Sequence, residues 1–253
     1  MIKQNNFGLM SKEYNSARRG YPDEVFEYLK SLMKKDLPVT LDLGCGTGIS
    51  TRQLKQYDFD VTGADKDSDM INMAVKQDIN IPYIKASADK LPFESNKFDL
   101  VTAFTSFHWF NNEESLLEIK RVMKENGIFF VALKTNRQDE NKDFKEGYSS
   151  ILQKYAGENF DTTKNHFKKE FLNKVGFSDI SEKSFYIDEK YTVEEALILL
   201  KSLSLWNLVK EDKKPEMLKE MKEFYESHLV DGFVIRSREI STFIAYKKAS
   251  SKT

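Results

Sequence analysis

Cysteine is almost absent: Cys45 is the only one in 253 residues, so no internal disulfide is possible. Metal-binding patterns are absent too. His108, His166 and His228 lie far apart and outside any H-E-x-x-H or C-x-x-C spacing, and no metal is expected. Charge of one sign is not in excess, because 39 basic residues face 40 acidic ones for a net charge of −1. Without a basic field to attract a phosphate backbone, long nucleic acid is not an expected partner. No apolar run reaches membrane-spanning length, and the N-terminus lacks the basic-then-apolar order of a signal peptide. The expectation is a cytoplasmic protein with no membrane span. Repeats are missing as well, and mixed-sign runs such as Glu211-Asp212-Lys213-Lys214 read as solvated helix faces.

What is present is a glycine turn, Leu41-Asp42-Leu43-Gly44-Cys45-Gly46-Thr47-Gly48, in which an apolar strand runs into three glycines at alternate positions. Glycine removes the side chains that would hold a ligand off the backbone and accepts angles that other residues resist. A dinucleotide fingerprint would require glycine where Ile49 stands, and a phosphate-binding loop would require a Gly-Lys-Ser/Thr that the chain lacks. An acidic residue followed by G-x-G-x-G resembles the cofactor motif of class I S-adenosylmethionine-dependent methyltransferases. The resemblance implies S-adenosylmethionine as cofactor, with Asp42, Gly44, Cys45, Gly46 and Gly48 at its site.

Around this turn, strand and helix patterns alternate. Strands are predicted at Val39–Leu43, Asp60–Ala64, Tyr83–Lys85, Phe98–Thr102, Ile128–Leu133, Phe177–Ile187 and Phe233–Tyr246. Helices are predicted at Asp23–Lys35, Ile49–Gln56, Met70–Lys76, from Asn111 or Asn112 to a stop at Asn126-Gly127, and at Phe144–Tyr155, Asn165–Val175, Thr192–Lys210 and Pro215–His228. Such alternation predicts an α/β fold with a mostly parallel sheet covered on both faces, and ligands beyond the carboxyl ends of its strands. The resemblance implies a Rossmann-like, doubly wound, seven-stranded sheet with an antiparallel last strand. It also implies a helical cap inserted at Phe144–Tyr155 and Thr192–His228, closing a substrate pocket. On this reading 1–253 is a single methyltransferase domain: a helical lead-in at 1–37, a cofactor-binding core at 38–135, the sixth strand plus cap helices at 136–232, and a closing strand at 233–247. The apolar stretch Ala196 to Val209, with Trp206, is either a pocket wall or a dimer surface, so monomer and homodimer both stay open.

Asp65 ends the second strand within the ~20-residue reach of an acid that accepts hydrogen bonds from ribose hydroxyls, with a helix N-cap as its alternative. Lys66 follows it, and Met70 is similar to the apolar residue that lies against adenine in the resembled family, or is core. Ala86-Ser87-Ala88-Asp89-Lys90-Leu91-Pro92-Phe93 resembles the adenine-contacting segment, with Ser87 where many relatives carry Asp; Ser87, Ala88 and Asp89 are the contacts implied. Thr105 resembles the family residue beside the cofactor. In the run Phe104 to Phe110, the rings of Phe107 and Trp109 either line the substrate site, where aromatic faces attract cations, or pack inward. His108 is a candidate general base, a residue that orients substrate, or a group that satisfies a turn.

The segment Tyr14-Asn15-Ser16-Ala17-Arg18-Arg19-Gly20-Tyr21-Pro22 resembles the start of a subgroup that includes trans-aconitate and quinone-biosynthesis methyltransferases. Tyr14 and Arg18 would share a helix face, and Arg18 would grip the methionine carboxylate or form a surface ion pair. A small-molecule acceptor is the expected partner. A protein or RNA methyltransferase, or a catalytically silent cofactor-binding module, would carry the same motif.

Overall fold

The computed structural model describes residues 18–137, 141–157 and 169–248. In chain order these form α1 (Asp23–Ser31), β1 (Val39–Leu43), α2 (Ile49–Gln56), β2 (Asp60–Asp65), α3 (Ser68–Gln77), β3 (Tyr83–Lys85), β4 (Phe98–Phe104), α4 (Glu113–Val122) and β5 (Met123–Asn136). There follow α5 (Lys142–Ala156), α6 (Lys169–Lys174), β6 (Phe177–Tyr191), α7 (Val193–Lys201), α8 (Lys214–Ser227) and β7 (Val234–Lys247). The strands make one seven-stranded sheet in the order β3-β2-β1-β4-β5-β7-β6, parallel from β3 to β5 and antiparallel through β7 and β6. This is the mostly parallel sheet that the alternating pattern predicts, in the doubly wound seven-stranded form that the resemblance implies.

β1 has β2 on one side and β4 on the other, so the strand order reverses there. A crevice opens at such a reversal, and the glycine turn leaves β1 at that place. β1 and β4 are buried along almost their whole length, as strands covered on both faces must be. Their residues Leu41, Leu43, Val101 and Ala103 pack with Phe129 and Val131 of β5 into the main core.

Several expected boundaries move. α4 stops at Val122 and β5 begins at Met123, so Asn126-Gly127 is not a helix stop. Phe98 pairs with Met123 but Leu100 pairs with Ile128, which leaves the intervening residues of β5 bulged. Asn126 takes the left-handed φ of 59°, and a Cβ on Gly127 would sit 2.8 Å from the Lys124 carbonyl oxygen. The pair serves the bulge. α1 ends at Ser31, four residues early, where the Lys30 ammonium donates to the carbonyls of Asp36 and Asp58 and turns the chain toward Pro38. The single helix expected over Thr192–Lys210 breaks at the fully buried Ser202, whose hydroxyl donates to the Leu199 carbonyl at 2.7 Å, and a short 3₁₀ turn, Ser204–Leu208, follows.

The described chain divides into two compact units. The larger comprises the described parts of 20–135, 166–185 and 240–253, and the smaller those of 18–19, 136–165 and 186–239. The smaller has its own core, in which Ala196, Leu199, Leu200, Leu205 and Val209 meet Tyr148, Met217, Met221 and Tyr225. Much of the apolar surface of the Ala196–Val209 stretch is thus used inside its own unit. No helix among the described residues is long and apolar enough to cross a membrane.

Candidate functional site

All three motif glycines have positive φ, at 69° for Gly44, 55° for Gly46 and 77° for Gly48. Two of them also have no room for a side chain. A Cβ would lie 2.6 Å from the Ser106 Cβ at Gly44 and 2.4 Å from the Tyr83 hydroxyl at Gly48. At Gly46 it would meet nothing within 4 Å, so that side of the turn faces open space. Gly44 and Cys45 donate their N–H groups to the Ala64 carbonyl at 2.8 and 3.0 Å, tying the turn to β2. Cys45 is buried, and burial raises its thiol well above the ordinary value, so it stays protonated and packs as a small apolar residue.

The Asp65 carboxylate closes the turn. Oδ2 accepts from the Gly46 N–H at 2.9 Å and Oδ1 from the Asp67 N–H at 2.9 Å. Each ionised oxygen offers about two acceptor directions, so a second direction on each remains. The helix N-cap is not Asp65 but Asp67, which accepts from the N–H groups of Asp69 and Met70. Burial raises the Asp65 pKa, while the N–H groups of Asp67 and Gly46 oppose the shift.

Asp42 lies underneath, fully buried. Its Oδ2 accepts from the hydroxyls of Ser50 at 2.9 Å and Thr51 at 2.7 Å, and its Oδ1 from Thr102 at 2.8 Å. One carboxylate therefore joins β1 to β4 and to the first turn of α2, whose N-terminus has no side-chain cap. Burial pushes the Asp42 carboxyl up to about 6 against the lowering effect of the hydroxyls. Because the folded value exceeds the unfolded one, the stabilisation from its proton is complete below the ordinary carboxylate range and is lost as pH rises through about 6. In urea unfolding the chain should lose stability relative to Asp42→Asn as pH rises from about 4 to about 6, with little further change above that. A pH-independent difference between the two proteins would refute this account of the buried carboxyl.

The end of β4 crosses beside the glycine turn. Ser106 donates its hydroxyl to the Leu43 carbonyl at 2.8 Å and begins a 3₁₀ turn, Phe107–Trp109. Phe107 and Phe110 point into the core, at 5.6 Å from each other and with Phe107 5.4 Å from Phe129. Phe107 is thus a core residue rather than a substrate-lining one. Trp109, by contrast, is 51% exposed, with the Lys66 ammonium 5.9 Å above its ring. His108 opens to solvent on one side, while the protein around the rest of its ring lowers its pKa by desolvation. The imidazole is neutral at neutral pH and can accept a proton.

Beyond β3, Ala86 donates its N–H to the Asp65 carbonyl at 2.9 Å, bringing Ser87 to Asp89 to the carboxyl edge beside β2. Ser87 and Asp89 are exposed and Ala88 is buried. Met70, on the first turn of α3, is also buried. Among the described residues no group of three His, Cys, Asp or Glu side chains is placed to hold a metal ion.

This geometry has counterparts in known proteins. The profile of a family described as methyltransferase domain matches residues 41–131, the segment from β1 to β5. An uncharacterized methyltransferase of Schizosaccharomyces pombe is 30% identical over 219 residues, 85% of this chain and 85% of the relative. The chain belongs to the methyltransferase family. A mouse mitochondrial protein named arginine-hydroxylase is 33% identical over 141 residues, 49% of the methyltransferase and 40% of that protein. A provisionally named type II methyltransferase from Anaeromyxobacter dehalogenans superposes with a TM-score of 0.68 at 17% identity, over 91% of this chain and 97% of that one.

In the methyltransferase, the larger unit brings together Asp42, Gly44, Cys45, Gly46, Gly48, Asp65, Lys66, Met70, Ser87, Ala88, Asp89, Thr105, His108 and Trp109 at or beneath the carboxyl edge of the sheet. Arg18 and Trp206 belong to the smaller unit. There the Arg18 guanidinium donates to the Ser202 carbonyl at 3.4 Å, and Trp206 is half-buried with the Lys214 ammonium 5.2 Å above its ring. Its neighbour Arg19 pairs with Glu195 at 2.8 Å. Tyr14 lies outside the described residues. Sequence reasoning missed Ser50, Thr51 and Thr102 around Asp42, Tyr83 against Gly48, and the pairing of Tyr21 with Thr105. Ser50 and Thr51 did leave a signal: two hydroxyls in the first helical turn after an acid-bearing strand.

Proposed function

We propose that this S-adenosylmethionine-dependent methyltransferase acts on a small-molecule acceptor, with Asp65 and the glycine turn holding the cofactor and His108 taking the acceptor's proton. The observation that carries the reading is the Asp65 bond to the Gly46 N–H, in a turn whose backbone at Gly46 faces open space. Bound S-adenosylmethionine supplies a methyl group already activated by its sulfonium charge. The residues fit it. Asp65 keeps an acceptor direction on each oxygen for two adjacent hydroxyls, and the uncapped N-terminus of α2 follows the turn. Ser87, Ala88 and Asp89 would flank the base with Met70, and Thr105 would lie near the sulfur.

Positioning supplies much of the rate in a displacement of this kind, and a base is needed only for a weakly nucleophilic acceptor. The balanced charge favours a small acceptor over nucleic acid. The arginine-hydroxylase likeness supplies a second acceptor class, an arginine side chain. Incubation with methyl-labelled S-adenosylmethionine and two panels, metabolites and arginine-containing peptides, separates them. Label in the metabolites supports the proposal; label confined to peptides replaces it with the second.

His108→Ala should leave cofactor binding unchanged and lower kcat by about 10²-fold, the usual worth of a general base. The wild-type rate should fall as pH drops through the lowered His108 pKa, and the variant should lack that limb. Equal loss of cofactor binding in the variant would show that His108 belongs to the cofactor site instead.

A further inference from the structure

We propose that Tyr21 is a positioning residue for methyl transfer: through Thr105, its hydroxyl holds the turn that presents His108 at the carboxyl end of β4. The inference rests on the methyl-transfer reading of that site. Thr105 has a φ of 48°, in the left-handed region that side chains branched at Cβ resist. Such a conformation persists only where its surroundings over-determine it. Here the Thr105 N–H donates to the Ala132 carbonyl at 2.7 Å, the Lys134 N–H donates to the Thr105 hydroxyl at 3.1 Å, and the Tyr21 hydroxyl meets the same oxygen at 2.6 Å.

Tyr21 is itself fixed from several elements. The Gln53 side chain of α2 accepts from the Tyr21 N–H at 2.9 Å and donates to the Tyr21 carbonyl at 2.8 Å. The Phe104 ring lies 4.8 Å from the tyrosine ring, with the Lys134 ammonium 4.8 Å above it and bonded to the Gly20 carbonyl at 2.5 Å. Packing alone would need only the ring; the hydroxyl is directed at the hydroxyl of the strained residue. Ser106 follows immediately, and its carbonyl accepts from the Trp109 N–H at 3.0 Å to close the turn that carries His108. A backbone released at Thr105 therefore moves the imidazole.

The test is Tyr21→Phe, which keeps the ring, made in the wild type and in a Thr105→Gly background. Glycine adopts the left-handed region without strain and has no hydroxyl. Imidazole proton resonances are followed by NMR in the cofactor-free protein, where three histidines make the assignment simple. In the wild-type background, Tyr21→Phe should shift the His108 resonances and move their titration midpoint up toward the ordinary value of about 6.5. In the Thr105→Gly background the same change should move neither. Lys66, over the Trp109 ring, and Lys134, over the Tyr21 ring, are unchanged in every variant. An unmoved His108 in the first background, or equal shifts in both, overturns the proposal. Because the readout needs no cofactor, it fails or succeeds independently of the assignment of S-adenosylmethionine.

Discussion

Replacement of Asp65 by alanine should weaken S-adenosylhomocysteine binding by at least about two orders of magnitude. Two losses add. A carboxylate that accepts hydrogen bonds contributes about 1.5–3 kcal/mol for each, and a ribose diol would provide two. The turn also loses its clasp, because the N–H groups of Gly46 and Asp67 would both lose their acceptor. Asparagine is not a mild substitute: its amide group can accept at one of these positions but would direct a donor at the other. Asp65→Asn should therefore resemble Asp65→Ala more than the wild type. Calorimetric titration of the three proteins decides it, and wild-type affinity in Asp65→Ala would remove Asp65 from the cofactor site.

Gly48→Ala should destabilise the protein by roughly 2–5 kcal/mol, from the left-handed penalty plus overpacking. The added Cβ would stand 2.4 Å from the Tyr83 hydroxyl and 2.9 Å from the ring carbon that carries it. Tyr83→Phe removes the nearer atom and leaves the other. The double variant should thus recover part of the loss, and the left-handed penalty should remain. Gly46→Ala, with a similar φ but no neighbour within 4 Å, should cost only that penalty. Urea unfolding of the four proteins measures both contributions. If Gly48→Ala and Gly46→Ala were equally stable, the close approach of Tyr83 would not be what fixes glycine at 48.

Much of the fold was legible because period and punctuation mark it. Val39–Leu43 and Tyr83–Lys85 have the bounds that their apolar runs predict, and Gly48 marks the start of α2. Asn126-Gly127 misled because a left-handed Asn before Gly can either end a helix or make a bulge; only the pairing of Met123 with Phe98 tells them apart. Ser202 broke a helix that hydrophobicity alone would have continued, because its buried hydroxyl bonds to the carbonyl three residues back. At the site, the turn and Asp65 were visible as a local motif. The distant partners of Asp42 and Thr105 were not, since Thr102 and Tyr21 lie 60 and 84 positions away and meet them only once the sheet has formed. Of the two readings left open for Phe107 and Trp109, the 3₁₀ turn separates them: residues three apart share a face, which puts Phe107 with Phe110 inside and leaves Trp109 outside.

The central claim is that the glycine turn and Asp65 form an S-adenosylmethionine site. Titration of the pure protein with S-adenosylhomocysteine in a calorimeter tests it most directly. One molecule should bind per chain, with the heat abolished by Asp65→Ala and retained by His108→Ala. Absence of binding to the folded wild-type protein would contradict the claim.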